Sequence, residues 1–367
     1  MDRIAESEKI KVGIIGYGVR GKKMVRNIRE NDTYQIMGIS EIEEESLKEI
    51  KADPEFKNIE VYKDYRKLLE REEIEAVFIF TPQFTHKEIA INAFKSGKSV
   101  YCEKPLALTV KECDEIINAS KKAGKILMVG QQMRYHAHLN KMKEIIDEGE
   151  IGKPIMVWLK EFRDPFAKRW CFDKKKSGGL LVEKNCHHFD FFNWYADSKP
   201  IQVFASGSQD VIHEYFGTKS DILDNAWVIV DYENGARAML GICMFAGLPR
   251  KSYESKTGVH MREIGVIGSK GMIRTEGFEL GREKVEVRYF SNKNRVLYHI
   301  EGDGNIPNPY NGPGDRGILI RFAQCIREGI QPEASGEVGK LAVAVSIAAE
   351  KSAEEKRIVK ISEILEE

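Results

Sequence analysis

Short, uninterrupted apolar runs punctuate the first third of the chain, at 10–15, 34–39, 59–62, 76–80, 99–102 and 126–130. A strand that is apolar on both faces is one that is covered on both faces. Between several of the runs, apolar residues recur at helical spacing, as in Ile89, Ala90, Ala93 and Phe94. Cys113, Ile116, Ile117 and Ser120 repeat that pattern. Buried strands alternating with helices predict a parallel, doubly wound α/β sheet over residues 1–130. Beyond a helix expected over 138–148 the pattern changes. Longer strands follow one another at 154–162, 201–207, 225–232, 236–244, 261–267, 284–289 and 295–300. Asn234-Gly235 joins two of them, and both residue types tolerate the positive φ of a type I′ hairpin turn. Strands without intervening helices predict an α+β unit over 131–367, built on a large, mostly antiparallel open sheet. Residues 301–315, rich in Gly, Pro and Asn, read as a loop. Helices are expected over 317–328 and 337–355, placed so that they can pack back on the first domain.

Composition narrows the partners. A chain of 367 residues suits two cores, and 57 basic residues balance 57 acidic ones. With a sequence pI near 7.1, no net positive field gathers nucleic acid or an acidic membrane, and neither is an expected partner. Runs such as Glu41 to Glu45 and Lys174 to Lys176 read as solvated surface. Residues 1–9 are polar and charged, so no secretory signal is expected, and no apolar run has the length of a membrane span. The six cysteines include no C-x-x-C pair and read as reduced thiols. A cytoplasmic location is expected.

Gly16-Tyr17-Gly18-Val19-Arg20-Gly21 leaves an apolar strand and opens a helix, with Glu41 about twenty residues farther on, at the end of the second strand. The glycines permit a tight turn and a close approach to a pyrophosphate at the helix N-terminus. Glu41 suits a ribose diol and repels a 2′-phosphate, so NAD is expected before NADP; Arg20 and Ser40 argue the other way. Glu103-Lys104-Pro105 follows the fifth strand, where the ligand crevice of a doubly wound sheet lies. A lysine screened from water there has a lowered pKa and suits proton transfer, while a surface lysine in a salt bridge is the plainer alternative. In the stretch from Gly178-Gly179 to Asp190, apolar spacing suggests one helix with Glu183 and His187 on the same face.

Residues 13–21, Thr81-Pro82-Gln83-Phe84-Thr85-His86, the stretch 97–105 and Gly178-Gly179 leading to His187 and Asp190 resemble, in order and spacing, the glucose–fructose oxidoreductase and inositol dehydrogenase (Gfo/Idh/MocA) family. The resemblance implies an N-terminal Rossmann domain and bound NAD or NADP. It also implies a C-terminal domain whose open sheet mediates oligomerisation, here to a homodimer or homotetramer. By the same resemblance Lys104 sits at the catalytic centre, and His187 accepts the proton. Glu183 stands where the family has Asp, and Gln83 where it has Asn. Gly16, Tyr17, Gly18, Val19, Arg20, Glu41, Thr81, Pro82, His86, Glu103 and Lys104 are the expected cofactor contacts. Lys104, Arg134, Arg163, Glu183 and His187 are the expected substrate contacts.

Plainer readings stand beside several of these. His86 suits loop support, Arg134 a structural salt bridge, and His188 and Asp190 packing and pairing. Trp170 and Tyr310 are placed to line a pocket. No metal is expected: neighbouring Cys186, His187 and His188 diverge on a helix, and His136 and His138 lack a partner cluster. The implied reaction oxidises a hydroxyl of a sugar or cyclitol, His187 taking the proton, Lys104 polarising the oxygen and Glu183 orienting one or both. The alternatives are an enzyme that uses tightly held NAD for transient redox, and a non-catalytic NAD-binding regulator.

Overall fold

A computed structural model describes residues 9–215, 217–246, 261–276, 284–291, 294–299 and 313–366. The first sheet contains β1 (Ile10–Ile15), β2 (Tyr34–Ser40), β3 (Glu60–Tyr62), β4 (Ala76–Ile79), β5 (Ser99–Cys102) and β6 (Leu127–Val129). These strands run parallel in the order β3-β2-β1-β4-β5-β6. All four residues of β4 and of β5 are buried, as strands covered on both faces must be. One face receives Met24, Val25 and Ile28 of α1 (Val19–Arg29). The other is covered by α3 (Tyr65–Leu69), α4 (His86–Lys95) and α5 (Val110–Ala123), while α2 (Glu44–Ala52) follows β2. Helix α5 shows how local sequence sets these limits. The Thr109 hydroxyl accepts from Glu112 N–H at 3.1 Å to cap its start, and Gly124, at φ 61°, ends it.

After α6 (Ala137–Asp147) and β7 (Pro154–Phe162) come three helices, α7 (Lys174–Ser177), α8 (Leu180–Glu183) and α9 (Cys186–Ala196). Strands β8 (Pro200–Ser208), β9 (Glu214–Tyr215), β10 (Thr218–Lys219), β11 (Asn225–Tyr232), β12 (Arg237–Cys243) and β13 (Met261–Gly268) follow. β14 (Gly271–Glu276), β15 (Lys284–Tyr289) and β16 (Arg295–His299) complete the run. The chain closes with α10 (Gly314–Glu328), α11 (Gly336–Glu355), β17 (Val359–Lys360) and α12 (Ile361–Leu365). Nine strands form one sheet in the order β16-β15-β14-β13-β7-β12-β11-β8-β17, antiparallel except where β7 lies beside β12. β9 and β10 form a separate ribbon.

The two late helices do pack back. Ile318, Leu319 and Phe322 of α10 join the core of the first sheet beside Phe78 and Tyr101, and Tyr34 Oη donates to the Leu319 carbonyl at 2.5 Å. Helix α11 lies between the two sheets. Its Gly336 and Gly339 press so closely on Ile117 and Val129 that a Cβ would stand 2.6 and 2.9 Å away.

Four local expectations need correction. The β11–β12 hairpin is present, but only Gly235 has positive φ, at 83°, so the turn is not type I′. The Asn234 side chain accepts from Ala236 N–H at 3.0 Å and donates to the Ala196 carbonyl at 2.9 Å, which fixes a three-residue loop instead. Gly314 and Asp315, read as loop, begin α10, and the rest of that loop, 301–312, lies outside the described residues. Strand β14 went unread. The helix expected to carry both Glu183 and His187 is two helices, for reasons given below.

Gly178 and Gly179 both have positive φ, 75° and 104°, where the chain turns into α8. A Cβ on Gly179 would lie 2.4 Å from Oε1 of Glu350 on α11. Gly179→Ala should combine backbone strain with this collision and lower the melting temperature by about 2–10 °C. A thermal melt of the variant checks this; an unchanged midpoint would show that the turn relaxes at no cost.

Candidate active site

A cleft of about 430 Å³ opens where the C-terminal ends of β4 and β5 face the segment between β7 and α9. The first domain contributes Arg20, Thr81, Gln83, Glu103 and Lys104; the second contributes Arg163, Trp170, Glu183, Lys184 and His187. The Lys104 ammonium donates to the Glu183 carbonyl and stands 3.9 Å from its carboxylate. Burial pulls the Lys104 pKa down, yet Glu183, with Glu103, outweighs it and leaves it above the ordinary lysine value. This corrects the expected lowering. Lys104 is a lasting cation, fit to donate and to stabilise negative charge, not to remove a proton.

His187 is the opposite case. It is buried, and neither ring nitrogen has a hydrogen-bond partner. Desolvation, with the charges of His188, Lys184 and Lys104, holds its pKa well below the usual 6.5. The ring is therefore neutral and has a lone pair to offer the cleft.

Glu183 does not orient this ring. Helix α8 stops at Glu183 and α9 restarts at Cys186, because buried Asn185 turns its amide to His188 Nδ1 at 2.8 Å. In the same break, the Lys184 ammonium reaches Glu161 at 3.2 Å. Glu183 is thereby committed to Lys104. Of the two readings of Arg134, the structure shows the salt bridge: its guanidinium forms a bidentate pair with Asp190, at 2.7 and 2.8 Å, outside the lining of the cleft. His86 lies buried beneath its loop, with the Thr81 and Pro105 carbonyls at 2.9 and 3.0 Å from its two ring nitrogens. Buried Gln83 donates to the Ser177 carbonyl at 2.9 Å, tying the two domains together. Arg163 and Trp170 do line the cleft, and Tyr310 lies outside the described residues. Lys184, Lys168 and Gln132 line it too, although nothing in the sequence had singled them out. A lysine inside the apolar stretch 180–196 was the available signal.

The nucleotide end fits a dinucleotide. Gly16, at φ 95°, has no room for a Cβ, which would stand 2.9 Å from Phe80 C and Thr81 N, and Gly21 packs against the Gly16 carbonyl. Above Gly18 the space is open, and α1 starts there with no side-chain cap, so its first N–H groups are available to an anion. Val19 and Ile42, 66% and 74% exposed, flank this turn with apolar surface. Glu41 is fixed beside it: one carboxylate oxygen accepts from Tyr17 N–H at 2.6 Å, the other from Ile42 and Glu43 N–H. The oxygen bound to Tyr17 N–H retains a lone pair for a ribose hydroxyl, whereas the other already accepts two bonds. Arg20 points the other way, pairing with Glu103 at 2.7 Å and Asp315 at 2.8 Å. Among the described residues no group of three His, Cys, Asp or Glu is arranged to hold a metal ion.

Comparison with known proteins agrees with this geometry. Residues 10–131 match the oxidoreductase family with an NAD-binding Rossmann fold, and 143–361 match that family's C-terminal alpha/beta domain. The myo-inositol 2-dehydrogenase of Thermotoga maritima is 31% identical over 359 residues, covering 97% of this chain and 100% of the relative. A 2,7-anhydro-N-acetylneuraminate hydratase of Mediterraneibacter gnavus is 28% identical, covering 96% of this chain and 97% of its own. The structure of a myo-inositol 2-dehydrogenase from Lactobacillus plantarum shares the fold, with a TM-score of 0.77 at 24% identity over 96% of this chain and 99% of that one. The chain belongs to the glucose–fructose oxidoreductase and inositol dehydrogenase family and is an NAD(P)-dependent dehydrogenase.

Proposed function

We propose that the protein oxidises a secondary hydroxyl of a sugar or cyclitol, with NAD as acceptor. The observation that carries this reading is a pair of opposites at one cleft, a buried ammonium, Lys104, and a buried neutral imidazole, His187. When bound, the nicotinamide supplies the hydride acceptor. His187 receives the hydroxyl proton as the C–O bond gains carbonyl character. Lys104, held by Glu183, donates to the same oxygen and stabilises the charge developing there. Gln83 and Trp170 line the same cleft.

The hydratase relative favours a second reading, in which oxidation is transient and the net reaction adds or removes water. Accumulation of reduced nicotinamide during turnover supports net oxidation; turnover without it supports the transient cycle.

The broad face of the large sheet is the second half of the proposal. Phe204, Trp227, Ile229, Met239, Met156 and Met261 are between 36% and 58% exposed there. Alternate residues of the same strands are buried against the helices. We infer that a second copy covers this face, giving a homodimer or homotetramer. Light scattering at micromolar concentration should give a multiple of 41.8 kDa; the monomer mass would refute the interface.

Replacing Lys104 or His187 with Ala should reduce kcat at least about a hundredfold, with NAD affinity little changed. The double variant should be scarcely slower than either single one, because both act on one proton transfer. Additive losses would place the two residues in separate steps. The neutral form of His187 is the active one and its pKa is depressed, so the acid limb of kcat/KM should fall below the ordinary histidine range. Activity on a neutral sugar should be flat from about pH 6.5 upward. A limb centred on 6.5 or higher would mean that an anion in the cleft or another group governs the profile.

NAD should give a higher kcat/KM than NADP. Glu41 is fixed beside the glycine turn, and the guanidinium of Arg20 is turned toward Glu103 and Asp315. Glu41→Ala should narrow the difference between the two cofactors; equal values in the unchanged protein would refute the assignment.

A further inference from the structure

Two of the cations lining the cleft have no carboxylate of their own. Arg20 is matched by Glu103 and Asp315, and Lys104 by Glu183. Lys184 and Arg163 both lean on the single carboxylate of Glu161, at 3.2 and 3.5 Å. Glu161 is 2% exposed on β7, with Arg262 opposite it in register on β13 and His188 Nε2 at 3.4 Å. Burial lowers the His188 pKa well below 6.5, so that ring is neutral. Lys184 and Arg163 thus share one carboxylate, and positive groups outnumber negative ones on this wall. At the mouth stands Lys168, 5.6 Å from the Trp170 ring centre, with no carboxylate within 4 Å among the described residues. A buried unpaired charge is costly, and a neutral polyol does nothing to relieve it.

We propose that the substrate is an acidic sugar, a monosaccharide bearing one carboxylate, which is received by Lys184 and Arg163 while the hydroxyl to be oxidised lies against His187 and Lys104. This rests on the dehydrogenase reading above and narrows its substrate class. An arginine and a lysine at one wall supply charge-assisted hydrogen bonds to both carboxylate oxygens. Chain connectivity fixes the spacing, because Lys184 and His187 lie three residues apart across the break between α8 and α9. Burial, offset in part by Glu161, brings the Lys184 ammonium down to about 7, so a substrate carboxylate beside it also keeps it protonated.

The test uses matched pairs with the NAD-loaded protein: D-glucose and D-glucuronate, D-galactose and D-galacturonate, D-glucitol and D-gluconate, with D-glucose 6-phosphate as the dianion arm. Turnover and calorimetric binding are both measured. At least one acid should exceed its neutral partner at least about tenfold in kcat/KM or in affinity. Lys184→Met should reduce that acid-to-neutral ratio at least about tenfold, and Lys184→Arg should restore most of it. Because Lys184→Met leaves Glu161 short of a partner, Lys184→Met/Glu161→Gln serves as the folded control and should show the same lost ratio. Neutral sugars preferred or equal, or no binding of any acid, would overturn the proposal while leaving the dehydrogenase reading in place. Preference for the phosphate ester over every carboxylate would overturn it as well. Acids that bind selectively but never reduce NAD would uphold the proposal and remove the net-oxidation reading.

Discussion

Helix α11 is the constraint on which the site depends. Lys104 belongs to one sheet and Glu183 to the layer over another, and side-chain chemistry across two domains demands that their separation be fixed to a fraction of an ångström. The small residues of α11 allow this. Gly336 and Gly339 seat it against Ile117, Leu127 and Val129 of the first domain. Farther along, Ala344, Val345, Ala348 and Ala349 join the core of the second. At that end Glu350 accepts from Leu181 N–H at 2.7 Å and fills the space that a side chain on Gly179 would need. Its carboxyl pKa is pushed up to about 7 by burial, against the pull of that N–H and of Lys174. The helix is thus both wedge and cap. It sets the distance between the sheets and holds the N-terminus of α8, whose last residue grips Lys104.

Within that frame the site works by pushing two bases in opposite directions. Lys104 and His187 are both deeply buried, and burial alone would discharge both. Two nearby carboxylates keep the lysine charged. Around the histidine, desolvation and the charges of Lys184 and Lys104 outweigh the pull of Glu161, and it stays neutral. Environment, more than residue type, therefore decides which of the two is charged. The extra methylene of Glu183, compared with the family's aspartate, is consistent with this division. Both its backbone carbonyl and its carboxylate address the ammonium.

Much of this was legible in the sequence because it depends on local rules. Apolar runs located β1, β4 and β5, and the glycine pattern located the phosphate turn with Glu41 beside it. What was misread depends on buried polar partners far apart in the chain. Apolar spacing predicts a continuous helix through 180–196, yet it is blind to Asn185 meeting His188 and to Lys184 meeting Glu161. Those two contacts break the helix. Arg134 reads as a site residue by position, and only the fold shows that Asp190 takes both arms of its guanidinium. The Lys104 pKa was misjudged for the same reason: strand-end placement predicts burial, but not which carboxylates accompany it.

The break between α8 and α9 repays a last comparison with the helix that was expected. On a continuous helix, residues 183 and 187 would share a face, 184 would point elsewhere, and a buried lysine there would have no use. With the helix interrupted, three successive functions fall on one wall of the cleft. Glu183 turns to Lys104, Lys184 enters beside Glu161 and Arg163, and His187 lies in the first turn of the next helix with both nitrogens unengaged. The lost helical hydrogen bonds are offset in part by Asn185, whose carbonyl accepts from His188 and Phe189 N–H at 2.8 and 3.0 Å. A single two-residue interruption thereby brings the residue that holds the Lys104 ammonium, an unengaged imidazole and the charged wall together at one cleft.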